Sequence, residues 1–227
     1  MKNLTDFFSK VFVINCAHRP DRLECVKEEL CKNEMADLKK VSFYAGIIGD
    51  YVSHPHDWGA GNGAWGCLQS HRRILEDVMH DRDERGQEIH SSILILEDDV
   101  VFTNNAKEKL NEFMEIVPSD WGQIYLGGQH QQPAKKSKIE GVMVGVSINR
   151  THAYAVNKSA YQQVYRHISY MSDYIGTSKH VDHQLELAHV RGDWKVYCPP
   201  KWIAGQAAGP SNISGAVDAE RFWMSNH

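Results

Sequence analysis

Short apolar stretches alternate with charged, amphipathic ones through most of the chain. Residues 11–14 form a β-branched and aromatic run that ends at Asn15. Arg-Pro-Asp-Arg follows as a loop, and 23–31 is a charged helical stretch, so the opening order is strand, loop, helix. Residues 41–46 read as a second strand stopped by Gly46, and 49–66, rich in Gly, His, Trp and Pro, as a long loop of the kind that carries function. From Cys67 onward, Leu68, Ile74, Leu75 and Val78 recur at helical spacing with His71 near the same face. Residues 92–96 are a continuous apolar strand that stops on three carboxylates. A strand apolar on both faces and flanked by helices marks the middle of a parallel α/β sheet, whose carboxyl end is where such folds place ligands.

The later pattern repeats this alternation. A helix is expected over 105–117, with Ala106, Leu110, Phe113, Met114 and Val117 on one side, and a strand over 124–126. The Gly-, Gln- and Lys-rich segment 127–150 reads as a mobile loop or a hairpin. A strand over 152–156, helices over 159–168 and 182–190, and a strand in 194–200 halted by two prolines complete the series. No internal repeat or low-complexity linker divides the chain, so one α/β domain with its core over 11–215 is expected.

Composition narrows the function. With 42% hydrophobic and 24% charged residues the 227-residue chain can bury a core. A net charge of -4 without a long Lys/Arg block argues against nucleic acid as a partner. Lys135, Lys136 and Lys138 read as a solvated loop or a local basic patch. Five cysteines, an odd number without a CxxC pair, favour a reducing compartment. The N-terminal apolar run is broken by Lys10, and no stretch approaches the length of a transmembrane span. The expectation is a cytoplasmic protein, with peripheral membrane association left open.

Glu97, Asp98 and Asp99 are the strongest chemical signal. Adjacent carboxylates repel one another unless a cation or hydrogen-bond donors compensate, and manganese or magnesium with a substrate phosphate supplies that compensation. Strand alternation would put Glu97 and Asp99 on one face and Asp98 on the other. A solvated acidic turn capping the next helix is the alternative.

Val-Phe-Val-Ile-Asn followed by Arg19, Asp21 and Arg22 resembles the opening of glycosyltransferase family 25, the LPS biosynthesis and procollagen galactosyltransferase group. Gly63, Gly66, Cys67, Ser70 and His71 match that family's G-x-x-G-C-x-x-S-H segment, and the strand ending in Glu97-Asp98-Asp99 resembles its acidic motif. Segments 124–127 and 151–161 resemble its later elements. The sequence departs from the family at Ala64-Trp65, where an acidic and an aliphatic residue are usual. The resemblance implies a GT-A-like single domain with a central, mainly parallel sheet. It also implies transfer of a hexose, often galactose, from a nucleotide-sugar donor to a glycan or hydroxylysine acceptor, with the acidic segment as the metal and diphosphate motif. Inversion of configuration is implied more weakly.

Candidate roles follow. Asp99, with Glu97, could hold a divalent ion that stabilises a departing nucleoside diphosphate; His152 or His130 could complete its shell. Arg19 and Arg22 could hold phosphate, or pair on the surface with Asp21 or Glu24. Asn15, His71, Asp98 and Gln206 complete the donor-side candidates, His71 being equally suited to a structural role. Asp182 or Glu186, one helical turn apart, could deprotonate the acceptor hydroxyl; Asp182 is favoured, and would otherwise cap the helix that begins there. Trp58, Trp65 and Trp202 could stack on sugar or base, or simply pack. Gly205, Gln206 and 209–215 could close over the donor. Transfer of a hexose from a UDP-sugar to a saccharide hydroxyl is the leading reading. A non-catalytic nucleotide-sugar or glycan binder and a metal-dependent phosphohydrolase are its rivals.

Overall fold

The computed structural model describes residues 1–169, 180–210 and 217–218. The chain opens with α1 (Leu4–Phe7), β1 (Lys10–Asn15), α2 (Pro20–Lys32) and β2 (Val41–Ala45). It continues through α3 (Asn62–His80), β3 (Ser92–Glu97), β4 (Val100–Phe102), α4 (Ala106–Ile116) and β5 (Gln123–His130). The short β6 (Lys135–Lys136) and β7 (Met143–Val144) precede β8 (Ile148–Asn157), α5 (Tyr161–Ser169) and α6 (Val181–Arg191). Last come β9 (Val196–Cys198), β10 (Ala204–Gln206), β11 (Gly209–Pro210) and β12 (Val217–Asp218).

Among the described residues the main sheet has eight strands in the order β2-β1-β3-β8-β5-β9-β7-β6. The expected α/β architecture, a central sheet covered by helices on both faces, is present, and the sheet is mixed. β1 runs parallel to β2 and β3, and β5 parallel to β9. β8 is antiparallel to both its neighbours, β3 and β5. The chain leaves β5, makes the β6–β7 hairpin and returns as β8 without a helical crossover, and a return of that kind runs antiparallel. The segment 127–150 is therefore largely strand and hairpin, and Lys135, Lys136 and Lys138 lie exposed on it.

Side-chain alternation divides the core between two faces. Val11, Val13, Leu94 and Leu96 pack with Val26 and Leu30 of α2 and Leu110 and Phe113 of α4. Phe12, Ile93 and Ile95 face Leu68, Ile74 and Leu75 of α3 and the apolar sides of α5 and α6. This double coverage accounts for the unbroken apolar run of β3.

Three boundaries differ from the sequence pattern. α2 begins at Pro20, inside the segment expected to be a loop, because a ring-locked φ suits the first helical position and no hydrogen bond is lost there. α3 begins at Asn62, so the end of the expected 49–66 loop is helical. Its glycine-rich start escapes a helix-propensity reading because packing decides it: a Cβ on Gly66 would lie 2.3 Å from the Ile47 carbonyl, and one on Gly49 1.7 Å from that of Asn62. His180 occupies the position before the first turn of α6 without a capping side-chain bond, which leaves Asp182 in the first turn and not at the cap.

Candidate functional site

β1 and β3 end side by side, Ile14 level with Glu97, and their carboxyl ends form the floor of the site. β8 enters from this edge, so its first residues, Asn149 to His152, reach the same place from the opposite direction. Residues distant in sequence converge there as a result.

Glu97 continues the alternation of Ile93 and Ile95 toward α3. Its Oε1 accepts a 2.6 Å hydrogen bond from the Thr151 hydroxyl and lies 3.4 Å from Nε2 of His71. Nδ1 of His71 is 3.0 Å from the Tyr154 hydroxyl. The strand ends at Glu97, so alternation stops applying and Asp98 and Asp99 occupy a turn. Asp99 therefore does not share a strand face with Glu97 as expected. Instead one guanidinium nitrogen of Arg22 reaches both Asp98 and Asp99, at 3.1 Å each. Asn15 Nδ2 donates to Asp98 at 2.7 Å and to the Arg19 carbonyl at 3.0 Å. Gln206 Nε2 donates to Asp99 Oδ2 at 3.0 Å, while Oδ1 of Asp99 is buried without a hydrogen bond.

The electrostatics follow from this wiring. Burial, then the neighbouring Glu97 charge, pushes the Asp99 carboxyl up to about 7 against the pull of Gln206 and Arg22. Burial raises Asp98 as well, against its bonds from Asn15 and Arg22. Glu97 goes the other way: burial opposes its ionisation, but His71 and Thr151 outweigh burial and hold it below the usual carboxylate range. Burial pushes His152 down to about 4.

Two cavities meet at this point. The larger, about 480 Å³, is lined by amides and histidines that include Gln129, Asn149, His152 and His183, and by Asp182. The smaller, about 240 Å³, is lined by Arg22, His71, Asp98, Asp99 and the loop carrying Ile47 to Asp50. Cys67, Glu97 and Gln206 border both.

Of the candidates named from sequence, Asn15, Arg22, His71, Glu97, Asp98, Asp99 and Gln206 form one cluster, and Asp182 and His152 stand in the adjoining larger cavity. Arg19 lies to the side, its guanidinium on Asp21 at 2.8 Å, the surface pairing that was the alternative for it. Glu186 is held by the Ser147 hydroxyl and Asn149. The aromatic candidates serve packing: the Trp58 and Trp65 rings are 4.9 Å apart and buried, and His130 stacks on buried Trp202 at 4.6 Å. Most of 209–215 lies outside the described residues.

Sequence reasoning missed Arg150, Thr151 and Tyr154. Arg150 adopts a left-handed backbone, φ 74°; its N–H donates to Asp182 at 3.2 Å and its guanidinium to Gln206 at 3.3 Å. The signal was present in four polar residues, Asn149 to His152, leading directly into the buried run Ala153 to Val156. A polar start on an otherwise buried strand marks where that strand leaves the core.

Comparison with known proteins agrees with this picture. The family model for glycosyltransferase family 25 (LPS biosynthesis protein) matches residues 8–181. Inactive glycosyltransferase 25 family member 3 of Homo sapiens is 31% identical over 151 residues, 60% of this chain and 24% of that protein. Procollagen galactosyltransferase 1-B of Xenopus laevis is 30% identical over 142 residues, 55% of this chain and 22% of that protein. The procollagen lysyl hydroxylase and glycosyltransferase of Acanthamoeba polyphaga mimivirus is 28% identical over 173 residues, covering 69% and 18%. The chain thus spans about a quarter or less of the length of these relatives. Among solved structures, a glycosyltransferase involved in glycosylation of the major capsid of PBCV-1 aligns over 89% of this chain and 93% of its own, at 12% identity and a TM-score of 0.49. The family match runs from β1 through the acidic turn and β8 to the start of α6, most of the elements that build the site, with Asp182 and Gln206 beyond it, and the chain belongs to glycosyltransferase family 25.

Proposed function

We propose that the protein transfers a hexose, with inversion, from a UDP-sugar to a saccharide hydroxyl, assisted by a divalent metal ion. The observation that carries this reading is the pair of cavities divided by Glu97, Cys67 and Gln206. The smaller holds the acidic and cationic groups suited to a metal–diphosphate donor, and the larger the amides suited to a sugar. A lipopolysaccharide-type saccharide is the acceptor to test first, given the family's description.

The residues fit a hard cation. Asp99 Oδ1 is a buried carboxylate oxygen without a hydrogen bond, a position that oxygen-seeking Mn2+ or Mg2+ satisfies. Asp99 would hold the ion, with Asp98 beside it, and an ion bound there would neutralise charge on the departing diphosphate. Arg22 orders both aspartates, and Asn15 fixes Asp98. His152 lines the larger cavity as a buried neutral imidazole, suited to donor or acceptor contacts. Asp182, aimed by the Arg150 N–H into the larger cavity, is the proposed general base. Glu186, held by Ser147 and Asn149, anchors α6 to the start of β8.

A cytoplasmic site of action goes with this reading, in keeping with five free thiols. The test is UDP release from a panel of UDP-sugars with Mn2+, with and without saccharide acceptors, beside Asp99→Asn. Acceptor-dependent release is expected, reduced at least 100-fold in the variant, the scale of losing a charge-stabilising group. The inactive relatives favour a second reading, a binder that has lost turnover. Saturable UDP-sugar binding without release for any acceptor would establish that alternative, release that ignores acceptor would indicate hydrolysis, and no binding at all would overturn all three.

A further inference from the structure

We propose that Cys67 Sγ, His71 Nε2 and a carboxylate oxygen of Glu97 form a binding site for a zinc-class divalent ion on the wall between the two cavities. The ligand-bearing atoms of these three residues lie within 4.8 Å of one another. Cys67 and His71 stand four residues apart on α3, so one helix face presents both, and β3 ends at the height that brings Glu97 to meet them.

A second observation points to a ligand. The His71 side chain is 1% exposed, and its Nε2, aimed into the cluster, makes no hydrogen bond, its one close polar neighbour there being Oε1 of Glu97 at 3.4 Å, itself a proposed ligand. A buried imidazole nitrogen in that condition is costly unless something occupies it. The ring is held from behind, Nδ1 lying 3.0 Å from the Tyr154 hydroxyl, and Glu97 is held by the Thr151 hydroxyl at 2.6 Å. Outer partners of this type orient metal ligands in established sites.

The ligand chemistry selects the ion. A thiolate and an imidazole suit zinc or cobalt and disfavour magnesium, which wants oxygen. This separates the site from the oxygen set at Asp99, and the inference stands whether or not the chain transfers sugar. Three protein ligands leave a tetrahedral ion one position, the pattern of zinc sites that act on a ligand. Cys67 and Glu97 border both cavities, so a water or a substrate hydroxyl in either can take it. On binding, the Cys67 thiol gives up its proton to solvent.

The competing account is a plain His71–Glu97 ion pair with Cys67 a bystander, and cobalt distinguishes the two. Titration of the protein with Co2+ is expected to produce a sulfur-to-cobalt charge-transfer band that rises to a plateau and that Zn2+ abolishes. Cys67→Ser should lose that band, while Cys25→Ser, at an exposed cysteine, and Asp99→Asn should keep it. X-ray absorption on zinc-loaded wild type decides the matter without any variant, with one sulfur expected at about 2.3 Å. Absence of the band in wild type, its persistence in Cys67→Ser, or a zinc shell without sulfur would overturn the proposal.

Discussion

Arg22 spends a single guanidinium nitrogen on two carboxylates that are each nearly buried. Removing it would leave Asp98 and Asp99 facing each other without their cation, and breaking a pair of this kind costs several kcal/mol. Arg22→Ala is therefore expected to lower the unfolding free energy by about 3 kcal/mol in urea titrations. Arg22→Lys should recover only part of it, because an ammonium lacks the planar fork; a loss below about 1 kcal/mol, the scale of an exposed pair, would show the bridge to be ornamental. Much of this neighbourhood was legible from residue type alone: three carboxylates closing an apolar strand require compensation, and Arg22 was one of two nearby cations. The choice between them was not legible, since Arg19 and Arg22 differ only in where the first turn of α2 points them. Arg150, Thr151 and Tyr154 were hidden for another reason. They reach the site only because β8 runs against β3, and direction is a property of the connection and not of the strand's own composition.

At the level of elements, α3 is held where it is by backbone meeting backbone. Gly66 touches the Ile47 carbonyl and Gly49 touches that of Asn62, so the loop after β2 lies directly on the first turns of the helix that carries Cys67 and His71. Gly66→Ala should push them apart, costing about 1–3 kcal/mol as overpacking does. Gly59→Ala, where a Cβ meets nothing within 4 Å, should change stability by no more than about 0.5 kcal/mol. Equal thermal denaturation midpoints for the two variants would contradict this account. The same contact explains a boundary that the sequence pattern misplaced. Apolar periodicity located α3 from Cys67 onward, but its start depends on close approach, and a string of glycines looks like a loop until the surface it touches is known. β3, by contrast, was legible to within one residue of its end, because burial on both faces writes itself into its apolar positions. Pro20 shows the opposite lesson: a residue that reads as a breaker begins a helix when it falls in the first turn.

Across the whole molecule, buried histidines couple stability to pH. His189, on α6, is buried against Gln123 of β5, and burial followed by the neighbouring His167 pushes it down to about 3. In the unfolded chain the ordinary value is about 6.5. Between these limits the unfolded state binds the proton that the folded state refuses, so stability rises with pH across the window and is fully present above about 6.5. His189→Gln keeps a donor for Gln123 and removes the titration. Between pH 4 and 6, a range set by these values, its unfolding free energy should climb less steeply than wild type by about 1.4 kcal/mol per pH unit. Parallel curves in urea melts across that range would refute the assignment. The partition between the two cavities has a different kind of reach. Compartments that share one wall of three side chains can be filled together, and under the proposed transfer this permits a ternary complex of protein, donor and acceptor. It also means that one molecule built from both partners, joined across the wall, would collect both sets of contacts while giving up its freedom of motion only once.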